Sequence, residues 1–279
     1  MKAIIPIAGL GTRLLPFTKV IPKAMLPVAN KPCVQWIAEE LSEAGIKEII
    51  FVYSRGQEMV QDYFARKTWY EEELEKRGNK ETRILEDIRN LAKFYFVEQK
   101  EQLGDGHAIL QAKELIEPDE TFLVIFGDCL YTGDNVLKKL QEAYNKTQKC
   151  IVAVQEIPHE EAHNYGIVIT DSAGKIQTMI EKPTPKDPND PKDSKDLKDI
   201  TNAIIGRYLL TPQIWSHLHK QPSGSGEIRL IDALKELQTE EDIYAVEMKG
   251  TWLDTGTLEG IQRAAERLKN RTNLRSLSE

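Results

Sequence analysis

Cysteine is scarce. Cys33, Cys129 and Cys150 are three scattered thiols among 279 residues, an odd number with no Cys-x-x-Cys pair, which argues against a disulfide scaffold and fits a reducing cytoplasm. A surplus of positive charge is missing too. The net charge of −7 argues against a general nucleic-acid surface. No apolar run approaches the ~18 residues of a membrane span. The first residues lead straight into an apolar strand, with no signal-peptide pattern. We therefore expect a cytoplasmic chain that engages neither membrane nor nucleic acid. What the sequence does have is 41% hydrophobic and 29% charged residues, enough to bury a substantial α/β core.

The order of elements is mostly strand then helix. Ala3 to Ile7 reads as a buried strand, Cys33 to Gly45 has helical spacing, and Glu48 to Tyr53 is a second buried strand. That opening βαβ unit implies a parallel sheet with a right-handed crossover. Residues 57–92 are polar and predict two or three helices around Gly78, inserted before a strand at Phe94 to Val97. A helix opens near Asp105. Thr121 to Phe126 is a strand ending in Gly127-Asp128, Asn135 to Tyr144 a helix, and Ile151 to Ile157 a further strand. A hairpin is expected from Tyr165 to Glu181, then a strand at Ala203 to Leu209, a helix at Arg229 to Leu237, a strand at Tyr244 to Met248 and a closing helix to Leu268. Residues 184–200, rich in Lys, Asp and Pro, predict a mobile surface loop. The expected fold is α/β, a doubly wound, mostly parallel mixed sheet flanked by helices, in one domain over 1–268 with a tail at 269–279. Ligands should sit at strand C-terminal ends.

Ala8 to Lys23 is the stretch around which the chain is organised. After the first strand come Ala8-Gly9-Leu10-Gly11-Thr12-Arg13 and, further on, Pro22-Lys23. Glycines let backbone N–H groups approach a phosphate, and Arg13 and Lys23 add charge that suits a polyphosphate. Pro16, Pro22 and Pro27 keep the segment from becoming one helix. Glycines after a strand can equally be only a tight turn. The third glycine of a dinucleotide fingerprint is missing, and so is the Gly-Lys-Ser/Thr of a P-loop.

Gly-x-Gly-Thr-Arg-Leu, a spacer, and Pro22-Lys23-Ala24-Met25-Leu26-Pro27-Val28-Ala29-Asn30-Lys31-Pro32 resemble the signature of the sugar-1-phosphate nucleotidylyltransferases. The form with Thr18-Lys19-Val20-Ile21 looks most like the bacterial UTP–glucose-1-phosphate uridylyltransferases. The resemblance runs from residue 2 to about residue 265. It implies a nucleotide-diphospho-sugar transferase-like Rossmann-type fold, with UTP and glucose 1-phosphate as small-molecule substrates and Mg²⁺ as cofactor. It implies catalytic roles for Arg13, Lys23 and Lys182, and metal binding by Asp128 and Asp254. Ala8, Gly9 and Gly11 would meet the nucleotide, with Gln99, Gly104 and Gly106 at base and ribose. Gly166, Glu181, Lys182, Asn202 and Ala203 would surround the sugar. An amide such as Gln99 can pair with the imide edge that uracil and thymine share. The helical insertion at 57–92 resembles one that supports subunit contacts, so a homo-oligomer is expected. Two departures stand out. Asp105 replaces the Leu of Gly-Leu-Gly-His-Ala, and Gly127 precedes Asp128 where Pro is more usual in the uridylyltransferases.

From the residues alone, Asp128 could be a helix-cap or turn aspartate, Asp254 a turn residue, and Glu181-Lys182-Pro183 a solvated strand end. His159-Glu160-Glu161-Ala162-His163 matches a zinc-protease pattern literally, with Glu181 downstream, but Pro158 and the strand at Tyr165 leave no room for the helix that chemistry needs. The reading is uridylyl transfer to glucose 1-phosphate. Its rivals are thymidylyl transfer to the same sugar phosphate and a catalytically silent nucleotide-sugar binding protein.

Overall fold

The computed structural model describes residues 1–183, 200–218 and 226–273. The Lys/Asp/Pro segment expected to be a mobile loop lies outside the described residues except for Ile200, as does the tail from 274. Strand β1 (Ala3–Pro6) leads into three short 3-10 turns over 12–25, then a tight hairpin of β2 (Pro27–Val28) and β3 (Lys31–Pro32) and helix α1 (Cys33–Glu43). Strand β4 (Glu48–Tyr53) completes the expected βαβ unit, parallel to β1 with Ile5 opposite Phe51. The polar insertion forms α2 (Met59–Phe64), α3 (Trp69–Lys76) and α4 (Thr82–Arg89), followed by β5 (Lys93–Glu98), which pairs parallel to β4.

Next come α5 (Asp105–Gln111), β6 (Phe122–Ile125), β7 (Cys129–Thr132) and α6 (Val136–Thr147). Asn135 caps α6 by accepting the Lys138 N–H at 2.9 Å. The second half has β8 (Ile151–Pro158), β9 (Gly166–Thr170), β10 (Ile176–Glu181), β11 (Ile200–Leu210), α7 (Leu230–Leu237), β12 (Tyr244–Glu247), β13 (Thr251–Asp254) and α8 (Leu258–Asn273).

Nine strands form one mixed sheet in the order β10-β9-β11-β6-β1-β4-β5, with β8 beside β11 and β12 beyond β8. β1, β4, β5 and β6 run parallel, and β11 enters antiparallel to β6, β8 and β9. Alternation along the buried strands feeds two apolar layers. Ala3, Ile5, Ile49 and Phe51 face α1, α6 and α8, packing with Val34, Leu41, Leu137 and Leu140. Ile4, Ile50 and Val52 face α5 and α7, packing with Ile109, Leu230 and Leu234. Among the described residues no helix is long and apolar enough to cross a membrane.

Two features were not expected. A separate two-stranded ribbon pairs β7 antiparallel to β13, setting Cys129 opposite Asp254. In β11, Arg207 is fully buried within an apolar strand and forks onto the Glu40 carboxylate of α1 at 3.0 and 2.9 Å, also donating to the Cys129 carbonyl at 3.1 Å. One bidentate cation therefore ties α1 and β11 to the start of β7. Removing its anion strands a buried guanidinium, so Glu40→Ala should cost about 3 kcal/mol of unfolding free energy in urea. Arg207→Met, which removes the charge itself, should cost less. Equal small losses below about 1 kcal/mol would show that the pair holds nothing in place.

Candidate active site

The signature loop takes its shape from its own backbone. Gly11 has φ +65°, a left-handed conformation, and its carbonyl accepts both the Leu14 N–H at 2.9 Å and the Thr18 hydroxyl at 2.9 Å. Gln57, in the turn between β4 and α2, accepts the Ser54 N–H at 2.9 Å and donates to the Gly9 carbonyl at 3.3 Å, tying the loop to the segment that follows β4. The loop thus bends back on itself and brings Lys23 to the C-terminal edge of the sheet, where its ammonium pairs directly with Asp128.

Asp128 follows β6 and opens the β7–β13 ribbon. Its main chain is held from the other strand, because both the N–H and the hydroxyl of Thr255 donate to the Asp128 carbonyl at 2.9 Å. Asp254 ends β13, and its Oδ1 accepts the Gly256 N–H at 2.8 Å. The Arg13 guanidinium lies beside Gly256 and Asp254. Burial works against both members of the Lys23–Asp128 pair. Their mutual attraction outweighs it, holding the Asp128 carboxyl below its ordinary value and the Lys23 ammonium above its own. Asp254 goes the other way. Burial and the facing Asp128 charge push its carboxyl up, offset in part by Gly256, Arg13 and Lys23. Two facing carboxylates, one raised by the other, are a hard-oxygen donor set of the kind a divalent cation takes when phosphate oxygens and water complete its shell.

Two adjoining cavities meet at this point. The larger, about 410 Å³, is lined by Ala8, Gly9, Gly11, Lys23, Gln99 and Gly104 among others. The smaller, about 200 Å³, is lined by Arg13, Gly166, Glu181, Lys182, Tyr208 and Asp254 among others. Asp105, Phe126 and Asp128 line both. Gln99 is 2% exposed, and its amide nitrogen donates to the Gly104 carbonyl at 2.9 Å and meets His107 Nδ1 at 3.0 Å. With its amide nitrogen turned toward Gly104 and His107, Gln99 has its amide oxygen as the end suited to a ligand donor. Lys182 sits at φ +46° with a side chain 64% exposed, its Nζ 3.6 Å from Glu181 Oε1.

Three expected residues have surroundings the sequence did not show. Ala203 is fully buried with Ile157, Ala162 and Ile167, on the opposite face of β11 from the cavity-lining Ile204, Gly206 and Tyr208. Asn202 is on the other face from Ala203, with Oδ1 buried and unpartnered among the described residues, and it is not among the residues lining the cavity. Gly106 has a local packing reason: a Cβ there would lie 2.9 Å from the Ile228 carbonyl oxygen and 2.9 Å from the Arg229 carbonyl carbon. The start of α5 and the approach to α7 are thereby pressed together.

Sequence reasoning missed Gln57, Glu40, Arg207, Tyr208 and Arg229. An arginine inside the apolar run Ile204-Ile205-Gly206-Arg207-Tyr208 was a legible signal for a buried carboxylate partner. The zinc-like pattern forms no metal cage. It lies in a 3-10 turn (His159–Asn164), where His159 bonds Thr201 and His163 meets the Glu160 carbonyl. Among the described residues no three His, Cys, Asp or Glu side chains group as a metal site.

The nucleotidyl transferase family model matches residues 2–271. The chain is 40% identical to the UTP–glucose-1-phosphate uridylyltransferase of Pseudomonas aeruginosa, over 93% of this chain and 92% of that one. It is 39% identical to the enzyme of the same name from Bacillus subtilis, over 91% of this chain and 86% of that one. Among solved structures, a UDP-glucose pyrophosphorylase complexed with UDP-glucose superposes with a TM-score of 0.80 at 34% identity, over 97% of this chain and 98% of that one. A UTP-bound enzyme of the same kind from Acinetobacter baumannii gives 0.81 at 29% identity, over 100% and 99%.

Asp105 supplies a pH test of these electrostatics. Burial and the facing Glu181 push its carboxyl up to about 6, although the Leu230 N–H donates to it. A carboxyl raised in the folded state holds its proton where the unfolded chain has lost it, so its contribution to stability falls as pH rises from about 4 to about 6. Asn can still accept from Leu230 but carries no charge. Asp105→Asn should therefore melt higher than the parent at pH 7.5, and the gap should close toward pH 4.5. A gap independent of pH would contradict the burial assigned to this carboxylate.

Proposed function

We propose that this chain, which belongs to the nucleotidyl transferase family, transfers the uridylyl group of UTP to glucose 1-phosphate, giving UDP-glucose and pyrophosphate. An oxygen of the sugar phosphate attacks the α-phosphorus in line, one P–O bond forms, the α–β bridging P–O bond breaks, and pyrophosphate leaves with the electron pair. The nucleophile is already an anion, so no side-chain base or covalent intermediate is required. The task for the protein is to bring two polyanions together and hold them in line.

The observation that carries this reading is the contact of Lys23 with Asp128 beside Asp254, where a nucleotide-sized cavity opens onto a smaller one lined by Glu181 and Lys182. Arg13 and Lys23 would bind the triphosphate and its departing pyrophosphate. Lys182, on an exposed side chain that can swing, would hold the attacking phosphate. Glu181 would accept hydrogen bonds from sugar hydroxyls, and the Gln99 oxygen would accept the imide N–H of uracil. Asp128 and Asp254 would hold Mg²⁺, which when bound supplies charge neutralisation at the phosphates. Residues 1–268 would act as one catalytic unit in the cytoplasm. The exposed Trp69, Tyr70 and Ile84 of α3 and α4 favour a homo-oligomer. Light scattering should give more than one chain per particle, and Trp69→Glu should reduce that number. A monomer in both cases would remove the idea.

Pyrophosphate release from UTP and glucose 1-phosphate with Mg²⁺ is the first assay. Asp128→Asn and Lys182→Ala should each lower kcat/KM by about 100-fold or more with the fold retained. Near-parent turnover in either variant would remove that residue from the reaction, and a clear preference for dTTP over UTP would move the assignment to thymidylyl transfer.

A further inference from the structure

Asp105 stands at the seam between the two cavities and lines both. Its Oδ1 accepts the Leu230 N–H at 2.8 Å, so the side chain is anchored across the α5–α7 contact. The groups around it come from three further elements. Glu181 of β10 and Tyr208 of β11 line the smaller cavity with it, and the phenol of Tyr208 is pushed up by burial and then by Asp105 and Glu181. Glu227 and Arg229 approach from the segment before α7, with Arg229 Nε donating to Asp232 at 2.8 Å. The ammonium of Lys182 reaches Glu181 at 3.6 Å and is the group assigned above to the sugar phosphate. Besides Asp128 and Asp254, the sugar cavity is thus bordered by two further carboxylates on different elements, Asp105 and Glu181.

A ring substituent between two carboxylates must be a hydrogen-bond donor. A hydroxyl can donate to one of them. An ammonium can donate to both and gains attraction from each charge, an effect worth about tenfold or more in binding when partly shielded from water. We propose that Asp105 is a sugar-specificity residue which, with Glu181, forms a two-carboxylate clamp and extends the substrate class to hexose 1-phosphates bearing a free amino group. The proposal rests on the nucleotidyl transfer assigned above. The reaction itself is unchanged: the sugar phosphate still attacks the α-phosphorus and pyrophosphate still leaves.

The test measures pyrophosphate release at pH 7.5 with UTP and either glucose 1-phosphate or one of its monoamino analogues, substituted at C2, C3, C4 or C6. Parent, Asp105→Asn and Asp105→Leu are compared. At least one analogue should be used by the parent with kcat/KM within about tenfold of glucose 1-phosphate, and both variants should lower that amino-to-hydroxyl ratio about tenfold or more. Asn keeps an acceptor for Leu230, so a purely structural Asp105 would leave the ratio in Asp105→Asn unchanged. It also decides the matter should the Leu variant fail to fold. An unchanged ratio, or a parent that rejects all four analogues, overturns the clamp while leaving uridylyl transfer standing. A parent inert toward glucose 1-phosphate itself overturns the underlying reaction as well.

Discussion

The ion pair between Lys23 and Asp128 is the constraint from which the rest of the site follows. Neither charge could be buried alone at tolerable cost, but each is compensated by the other. The pair joins a loop from the start of the chain to a strand end in its middle. The loop can reach only because Gly11 turns left-handed and Gln57 holds the Gly9 carbonyl. The strand end is stationary because Thr255 clamps the Asp128 carbonyl from β13, while Arg207 grips the Cys129 carbonyl from below. A cation can therefore be buried at the cavity of an acidic protein.

The same arrangement explains the asymmetry of the two acids. Asp128 has the ammonium, which holds its carboxyl below the ordinary value, whereas burial and then the Asp128 charge push Asp254 up. A divalent cation bound between them would relieve that repulsion. A net charge of −7 for the whole chain fits this picture, since Arg13, Lys23 and Lys182 are gathered at the cavities and not spread over the surface.

Much of this was legible in the sequence because hydrophobic period and turn chemistry are local. The βαβ opening, the helical insertion, the hairpin of β9 and β10 and the closing helix all appear where apolar spacing puts them. The signature loop was legible because its glycines, prolines and cations are contiguous. What was hidden is long-range. Four-residue strands such as β7 and β13 carry too little pattern to declare themselves, so Asp254 read as a turn residue although strand pairing is what brings it to Asp128. Strand direction leaves no mark on hydropathy, so the antiparallel entry of β11 was invisible. Its two-residue period also separates Asn202 from Ala203, which sequence had grouped together. The acid at Asp105 was visible as a departure, but its facing partner Glu181 was not.

The most direct test of the central claim is a double-mutant cycle between Lys23 and Asp128, read as kcat/KM for pyrophosphate release with Lys23→Met, Asp128→Asn and both together. If the pair acts as one unit, the double variant should be no slower than the worse single variant, far from the product of the two losses. Losses that simply multiply would mean that the two residues work independently and that their contact does not organise the site.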